Sequence, residues 1–299
     1  MYKNLNASTL GLASSPSEVI EQALTYGFRG IDLDVVDLMR RAKLRGMVFA
    51  RRLIDSSKLR VSAFALPFDL ETPDNEFERD LAQLAEWAAA AAEVGCRCCL
   101  AAIQPAGDRL PYHENFNVYR NRFTQIAKML QPHDMRLGVG FRASPDLRRD
   151  KAFQFIYELE ATVLLTSMVG APNVGIDLDA WDLFVSGGTL DSLRALKPEQ
   201  IVAVHLADAA EDVALDEMTD RSRLVPGGET GRFDMAAVLA TLAEMGYKGP
   251  VDIKPDRSSI GATRNETPAK ILGRSLDTLW TAVGLTSHGK MAARPQTVS

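Results

Sequence analysis

The chain has 299 residues, a net charge of -5 and a hydrophobic content of 46%, which suits one large core and gives no basic balance for a dedicated nucleic-acid binder. No apolar run reaches the roughly 18 residues that span a membrane, and the opening residues lack the apolar segment of a secretory signal. Cys96, Cys98 and Cys99 describe no disulfide framework or thiolate metal site, so they read as core residues of a protein in the reducing cytoplasm.

Short apolar runs alternate with helical patterns along the chain. Strands are predicted at 7–12, 30–35, 60–66, 97–103, 136–142, 173–178, 201–207 and 250–254. Helices are predicted at 16–26, 36–57, 76–94, 117–130, 151–169, 190–196, 235–245 and 262–283. Ser15 stands where the first helix needs an N-cap. The run Arg40, Arg41, Lys43 and Arg45 reads as the solvent face of the second helix. Gly27, Gly95, Gly170 and Gly246 each sit between a helix and the next strand, the place of a C′ glycine. Strand–helix alternation implies parallel βαβ units. Eight units close into a single (β/α)8 barrel over residues 1–285, with an open doubly wound sheet as the competing solution. No Gly-x-Gly-x-x-Gly follows the first strand, which weakens a dinucleotide-binding sheet. Residues 286–299 are polar and aperiodic and are expected to form a disordered tail.

Alternation assigns faces within the strands. Leu137, Val139 and Phe141 should face the helices, leaving Gly138, Gly140 and Arg142 inside. Val202, Val204 and Leu206 should face out, with Ala203 and His205 inside, and Val251 and Ile253 out, with Asp252 and Lys254 inside. Asp34, Arg142, Asp179, His205 and Lys254 then lie at the C-terminal ends of strands, where barrel active sites form. Asp32, Asp177 and Asp252 fall one layer deeper. A structural ion-pair network would explain any one of these residues. The group as a whole suggests a polar ligand site, because burying several charges is unfavourable unless they are paired.

The stretches 173–182 (NVGIDLDAWD), 186–189 (SGGT), 200–208 (QIVAVHLAD) and 246–255 (GYKGPVDIKP) resemble the sugar phosphate isomerase/epimerase family of xylose isomerase-like barrels. Weaker likeness lies at 110–116 (LPYHENF) and 223–231 (RLVPGGETG). The resemblance implies a divalent metal at the mouth, held by a Glu on strand five, an Asp on strand six, a His on strand seven and a Glu on strand eight, with the two Glu moving protons. Asp179 and His205 match two of these ligands. Gly140 and Lys254 stand at the two Glu positions, Asp182 at a frequent His position, and Asp32 where strand two often carries Glu. A glycine takes no proton, and an ammonium has no lone pair for a metal. The cofactor expectation is therefore either none or a weakly held manganese, magnesium or zinc ion on Asp179 and His205. In a metal-free mouth, the Lys254 ammonium would occupy the metal region and pair with Asp179.

The resemblance implies an isomerase or epimerase of a small polyol, keto-sugar or sugar phosphate, with His205, Lys254 and Asp179 as the expected catalytic set. Lys254 or His205 would be the acid/base group, and a Schiff base at Lys254 is conceivable. Asp34, Gln104, Arg142, Trp181, Asp208 and Arg223 are the candidate substrate contacts. The competing reading is a catalytically silent relative that binds a sugar-like ligand or a protein. The 223–231 loop could cradle a phosphate before a helix, and a plain turn fits it equally. His113 is expected in the loop after strand four, and His133 at the opposite end. A small-molecule ligand is the expected partner, with no nucleic acid or membrane. A homo-oligomer is compatible with the resemblance, although no interface signature is present.

Overall fold

The computed structural model describes residues 1–10, 15–228, 231–261, 266–287 and 289–291. Its parallel strands are β1 (Tyr2–Leu5), β2 (Gly30–Ile31), β3 in two pieces (Arg60–Val61 and Phe64–Ala65), β4 (Cys98–Ala102), β5 (Arg136–Gly140), β6 (Val174–Asp179), β7 (Ile201–Leu206) and β8 (Pro250–Ile253). The sheet runs from the first piece of β3 through β2, β1, β8, β7, β6, β5 and β4 to the second piece of β3. Its two ends therefore belong to one chain segment, and the sheet closes as an eight-stranded barrel. Val61 pairs with Ile31 on one side and Phe64 with Cys99 on the other. Between the pieces the chain stays bonded to the β2 segment, the Ser62 amide donating to the Ile31 carbonyl and the Leu33 amide to the Ala63 carbonyl.

The helices are α1 (Pro16–Thr25), α2 (Val35–Arg45), α3 (Met47–Ser57), α4 (Asp74–Glu93), α5 (Tyr112–Leu130), α6 (Leu159–Val169), α7 (Ala180–Val185), α8 (Leu190–Arg194), α9 (Met235–Met245) and α10 (Pro268–Ala282). Ser15 caps α1 in a capping box with Glu18. The four predicted C′ glycines all have positive φ. The core lies between the barrel's outer face and the helices: Leu137, Val139, Ile176, Leu178, Val204, Val251 and Ile253 pack in one cluster with Phe123, Ile126, Leu165, Leu242 and Leu276. Burying each such side chain contributes about 1.5–3 kcal/mol. Among the described residues no helix is long and apolar enough to cross a membrane.

Several boundaries differ from the sequence reading. The first strand is Tyr2–Leu5, and Ala7–Leu10 is a 3-10 turn; residues 11 and 12 of the predicted strand lie outside the described residues. The true strand was hidden because Lys3 faces outward, where an apolar residue is expected, and reaches Asp277 on α10. The predicted helix 36–57 is two helices, since Gly46 has φ 83° and turns the chain. Residues 153–154 pair antiparallel with 106–107 and the helix starts only at Leu159. Helix α5 begins at Tyr112, so His113 is helical. Part of the expected tail is ordered: Leu285 bridges to Met291, and the Gly289 carbonyl accepts from the Met1 amine.

Candidate active site

Two polar networks fill the C-terminal half of the barrel. The deeper one is centred on His205, which β7 turns inward. Its Nδ1 lies 2.7 Å from Asp252 Oδ1 on β8, and its Nε2 lies 2.8 Å from Asp177 Oδ1 on β6. Burial works against a charged imidazole, but the Asp252 and Asp177 carboxylates outweigh it and hold His205 well above its ordinary pKa. Both ring nitrogens then donate. Asn4 on β1 extends this layer, its Nδ2 donating to Asp32 at 2.8 Å and to Asp252 at 3.4 Å. Burial, followed by the Asp252 charge, pushes the Asp32 carboxyl up to about 8. Asp32 is half-buried, so solvent can reach a carboxyl that is mostly, but not wholly, protonated at neutral pH.

The upper network is centred on Arg223, from the long segment between β7 and α9. That segment is pinned by its backbone: Asp208 and Leu224 exchange two hydrogen bonds, and the Asp256 amide donates to the Arg223 carbonyl. The guanidinium is 7% exposed. Its Nη1 donates to both oxygens of Asp179 at 3.0 and 2.8 Å, and its Nη2 to Asp182 at 2.7 Å. Its plane lies over the Trp181 ring at 4.2 Å. Asp179 is also the N-cap of α7, accepting from the amides of Trp181 and Asp182. Burial opposes the Asp179 charge, and Arg223, Lys254 and His205 together drive its carboxyl well below the usual range. For Asp182, burial and the neighbouring Asp179 prevail over Arg223, and its carboxyl rises to about 6.

Lys254 continues β8 into the mouth, with Nζ 3.4 Å from Asp179 Oδ2 and 43% of the side chain exposed. Burial lowers its affinity for a proton, but Asp179 overrides this and raises its pKa above the ordinary lysine value. The amine stays an ammonium, which disfavours the Schiff-base chemistry considered from the sequence. The pairing of Lys254 with Asp179 is present as expected, yet the principal cation on Asp179 is Arg223. Asp220 bridges outward, pairing with both Arg223 and Arg142.

The remaining predicted contacts are placed differently. Asp34 is exposed and caps α2 by accepting from the Asp37 amide. Asp208 is buried and accepts from the amides of Ala209 and Phe233, so it fastens the segment that carries Arg223. Trp181 is fully buried beneath Arg223 and supports it rather than walling a pocket. Gln104 is half-buried at the end of β4, its amide donating to the Tyr119 hydroxyl at 3.1 Å. In the 223–231 loop, Glu229 and Thr230 lie outside the described residues. Sequence reasoning missed Asn4, because the first strand was misplaced, and Asp220. It placed Asp177 and Asp252 inside without seeing that they clamp His205.

A divalent ion does not fit this donor set. Both His205 nitrogens face carboxylates as donors, and Asp179 is saturated by a guanidinium and two amides. Asp182 is taken by Arg223 and by the Ala143 amide at 2.7 Å. Among the described residues no group of three or more His, Cys, Asp or Glu side chains is arranged to hold a metal ion. The strand-five position is crowded as well: a Cβ on Gly140 would lie 3.2 Å from the Asp177 carbonyl and 3.3 Å from Asp177 Oδ2, so Asp177 would have to give by a few tenths of an ångström. The Asp177 carboxylate uses the room that a side chain on residue 140 would need.

The sequence profile described as "Xylose isomerase-like TIM barrel" matches residues 20–279. Among solved structures, a xylose isomerase domain protein from Alicyclobacillus acidocaldarius subsp. acidocaldarius is similar at 26% identity and a TM-score of 0.84, covering 95% of this chain and 99% of that one. The IolI protein, solved with a bound zinc atom, is 18% identical with a TM-score of 0.77, covering 95% and 98%. D-Psicose 3-epimerase from Clostridium cellulolyticum H10, solved with D-tagatose, is 14% identical with a TM-score of 0.75, covering 95% and 99%. No curated protein sequence matches the chain.

Proposed function

Because the chain belongs to the xylose isomerase-like TIM barrel family, we propose that it is an isomerase or epimerase of a small polyol, keto-sugar or sugar phosphate that moves a proton beside a carbonyl without a metal ion. The observation that carries this reading is the Arg223 guanidinium held between Asp179 and Asp182, with the Lys254 ammonium 3.4 Å from Asp179. Two fixed cations supply the positive charge that a divalent ion would bring to this end of the barrel.

In this reading Lys254 is the electrophile. Its ammonium faces the mouth and meets the negative charge that develops on the substrate's carbonyl oxygen as the adjacent C–H loses its proton. Asp179 keeps that ammonium charged. Asp32 is the proton-transfer group, because a carboxyl near pKa 8 is populated in both forms at neutral pH. His205 is tied at both nitrogens and acts as a fixed positive charge that positions Asp252 and Asp177. Arg142, on the rim, would meet a hydroxyl or phosphate of the substrate. The free thiols of Cys96, Cys98 and Cys99 support a reducing, cytoplasmic setting.

Solvent exchange tests the reading. The EDTA-dialysed chain is incubated in D2O with a panel of ketoses and their phosphates, and deuterium at the carbon beside the carbonyl is followed by NMR. Metal-independent exchange that Lys254→Met abolishes is expected; exchange that appears only on adding manganese or magnesium would overturn it. The saturation of His205 and Asp179 by protein partners favours one second reading, a relative that binds a sugar without turning it over. Thermal stabilisation by a ketose, with no deuterium exchange, would establish that instead.

A further inference from the structure

A cavity of about 660 Å³ lies at the end of the barrel opposite the mouth, lined by first residues of strands such as Arg60, Cys98, Arg136 and Pro250. A register slip in β7 between Ile201 and Ala203 helps to shape it. The slip turns Val202 inward, against the alternation expected from sequence: a Cβ on Gly138 would lie 3.1 Å from Val202 Cβ, and one on Gly175 2.9 Å from Val202 Cγ2. Val202 thereby becomes part of the cavity lining. The volume falls within the range of small-molecule sites, about 300–1,000 Å³.

The charge around this cavity is one-sided. Arg60, Arg97, Arg136 and Lys248 line it, and Glu199 is the single acid among its lining residues. In a chain of net charge -5 this is a local reversal, not a general basic surface. The arginines are held by groups that leave their charge uncompensated. Arg60 lies over the Tyr2 ring at 4.6 Å. Arg97 donates to the carbonyls of Ala92 and Cys96, and Arg136 to those of Glu199 and Ile201. Their orientation is fixed in advance by neutral partners, which lowers the entropy lost on binding an anion. Lys248 is exposed on the loop before β8. The lining also has an apolar part, with Leu59, Val61 and Val94.

We propose that this cavity binds a small phosphorylated molecule, its phosphate held by Arg60, Arg136 and Lys248 and its organic part against Tyr2 and the apolar part of the lining. Guanidinium groups bond phosphate oxygens in pairs, and lysine adds a point charge. The site is separate from the mouth and independent of the function proposed for it.

Calorimetric titration of the full chain with inorganic pyrophosphate tests this, with citrate as a non-phosphate polyanion. Lys248→Glu and Arg60→Glu are compared with Lys254→Met at the mouth, after thermal melting has shown that each variant is folded. The expected result is saturable pyrophosphate binding, about tenfold weaker or more in each cavity variant, unchanged in Lys254→Met, and weaker for citrate. No saturable binding at millimolar pyrophosphate, binding as tight as in the unmutated chain in both cavity variants, or loss in Lys254→Met would each overturn the site. Citrate binding as tightly as pyrophosphate would overturn its assignment to phosphate.

Discussion

Replacing Arg223 by methionine tests the central claim of the upper network. The guanidinium makes two hydrogen bonds to Asp179, one to Asp182 and one to Asp220, and it stacks on Trp181. Methionine keeps the apolar contact with the ring and removes the charge. Asp179 retains Lys254 and two helix amides, whereas Asp182 retains only the Ala143 amide. Asp182 is thus the carboxylate left without charge compensation, and removing one partner of a buried ion pair costs about 3–5 kcal/mol. Asp182 already titrates near 6, and without Arg223 it rises further. The folded variant then holds a proton that the unfolded chain releases, so its stability falls as pH rises from the unfolded carboxylate range to the new folded pKa. Urea unfolding followed by circular dichroism should show a deficit of about 3 kcal/mol or more at pH 8 that shrinks at pH 5. Adding Asp182→Asn should recover a large part of the pH 8 deficit. A loss below about 1 kcal/mol, or one equal at both pH values, would refute Arg223 as the neutralising cation.

Asp32→Asn should stabilise the chain at pH 8–9 and lose that advantage near pH 4. The raised Asp32 pKa makes wild-type stability fall as pH rises from the unfolded value toward about 8, so an unchanged pH profile in the variant would contradict the assignment. The imidazole of His205 should remain protonated at pH 8 in histidine-selective NMR; because its folded pKa lies above the unfolded value, its contribution is complete below that unfolded value and disappears as pH climbs through the folded one. A ring that titrates near 6.5 would show that the carboxylate clamp is wrong. The double variant Gly140→Glu, Lys254→Glu should not acquire tight manganese or zinc binding by calorimetry, because Arg223 still occupies Asp179 and Asp182. Tight binding in that variant would mean the guanidinium yields easily and is no substitute for the ion.

The barrel was legible because its evidence is periodic. Leu137 and Val139, and Val251 and Ile253, alternate with inward residues, and buried outward faces leave little freedom in register. The first strand escaped because Lys3 occupies an outward position and finds its partner on α10, 274 residues away. Val202 escaped because a register slip is a relation between two strands and leaves no mark in either one alone. The inward placing of Asp177, His205 and Asp252 followed from alternation. Their contact needed the register as well, which sets His205 beside Asp252 and places Asp177 two residues deeper, opposite Ala203. Arg223 was visible only as one arginine in a glycine-rich loop. The clue was indirect: Asp179 and Asp182 are acids expected at the barrel mouth, and buried acids require a cation from somewhere.

The departures from the family pattern form two coupled exchanges. Asp177 can approach His205 because residue 140 has no side chain, and once it has done so a carboxylate at 140 would meet it at close range. His205 becomes a charged donor in that clamp, which removes a neutral imidazole from any ligand set. The resulting cation lowers the Asp179 carboxyl further, and Arg223 and Lys254 complete the neutralisation. Gly140, Asp177, His205, Arg223 and Lys254 thus form one connected arrangement of charge, and the proposed metal-free chemistry stands or falls with it.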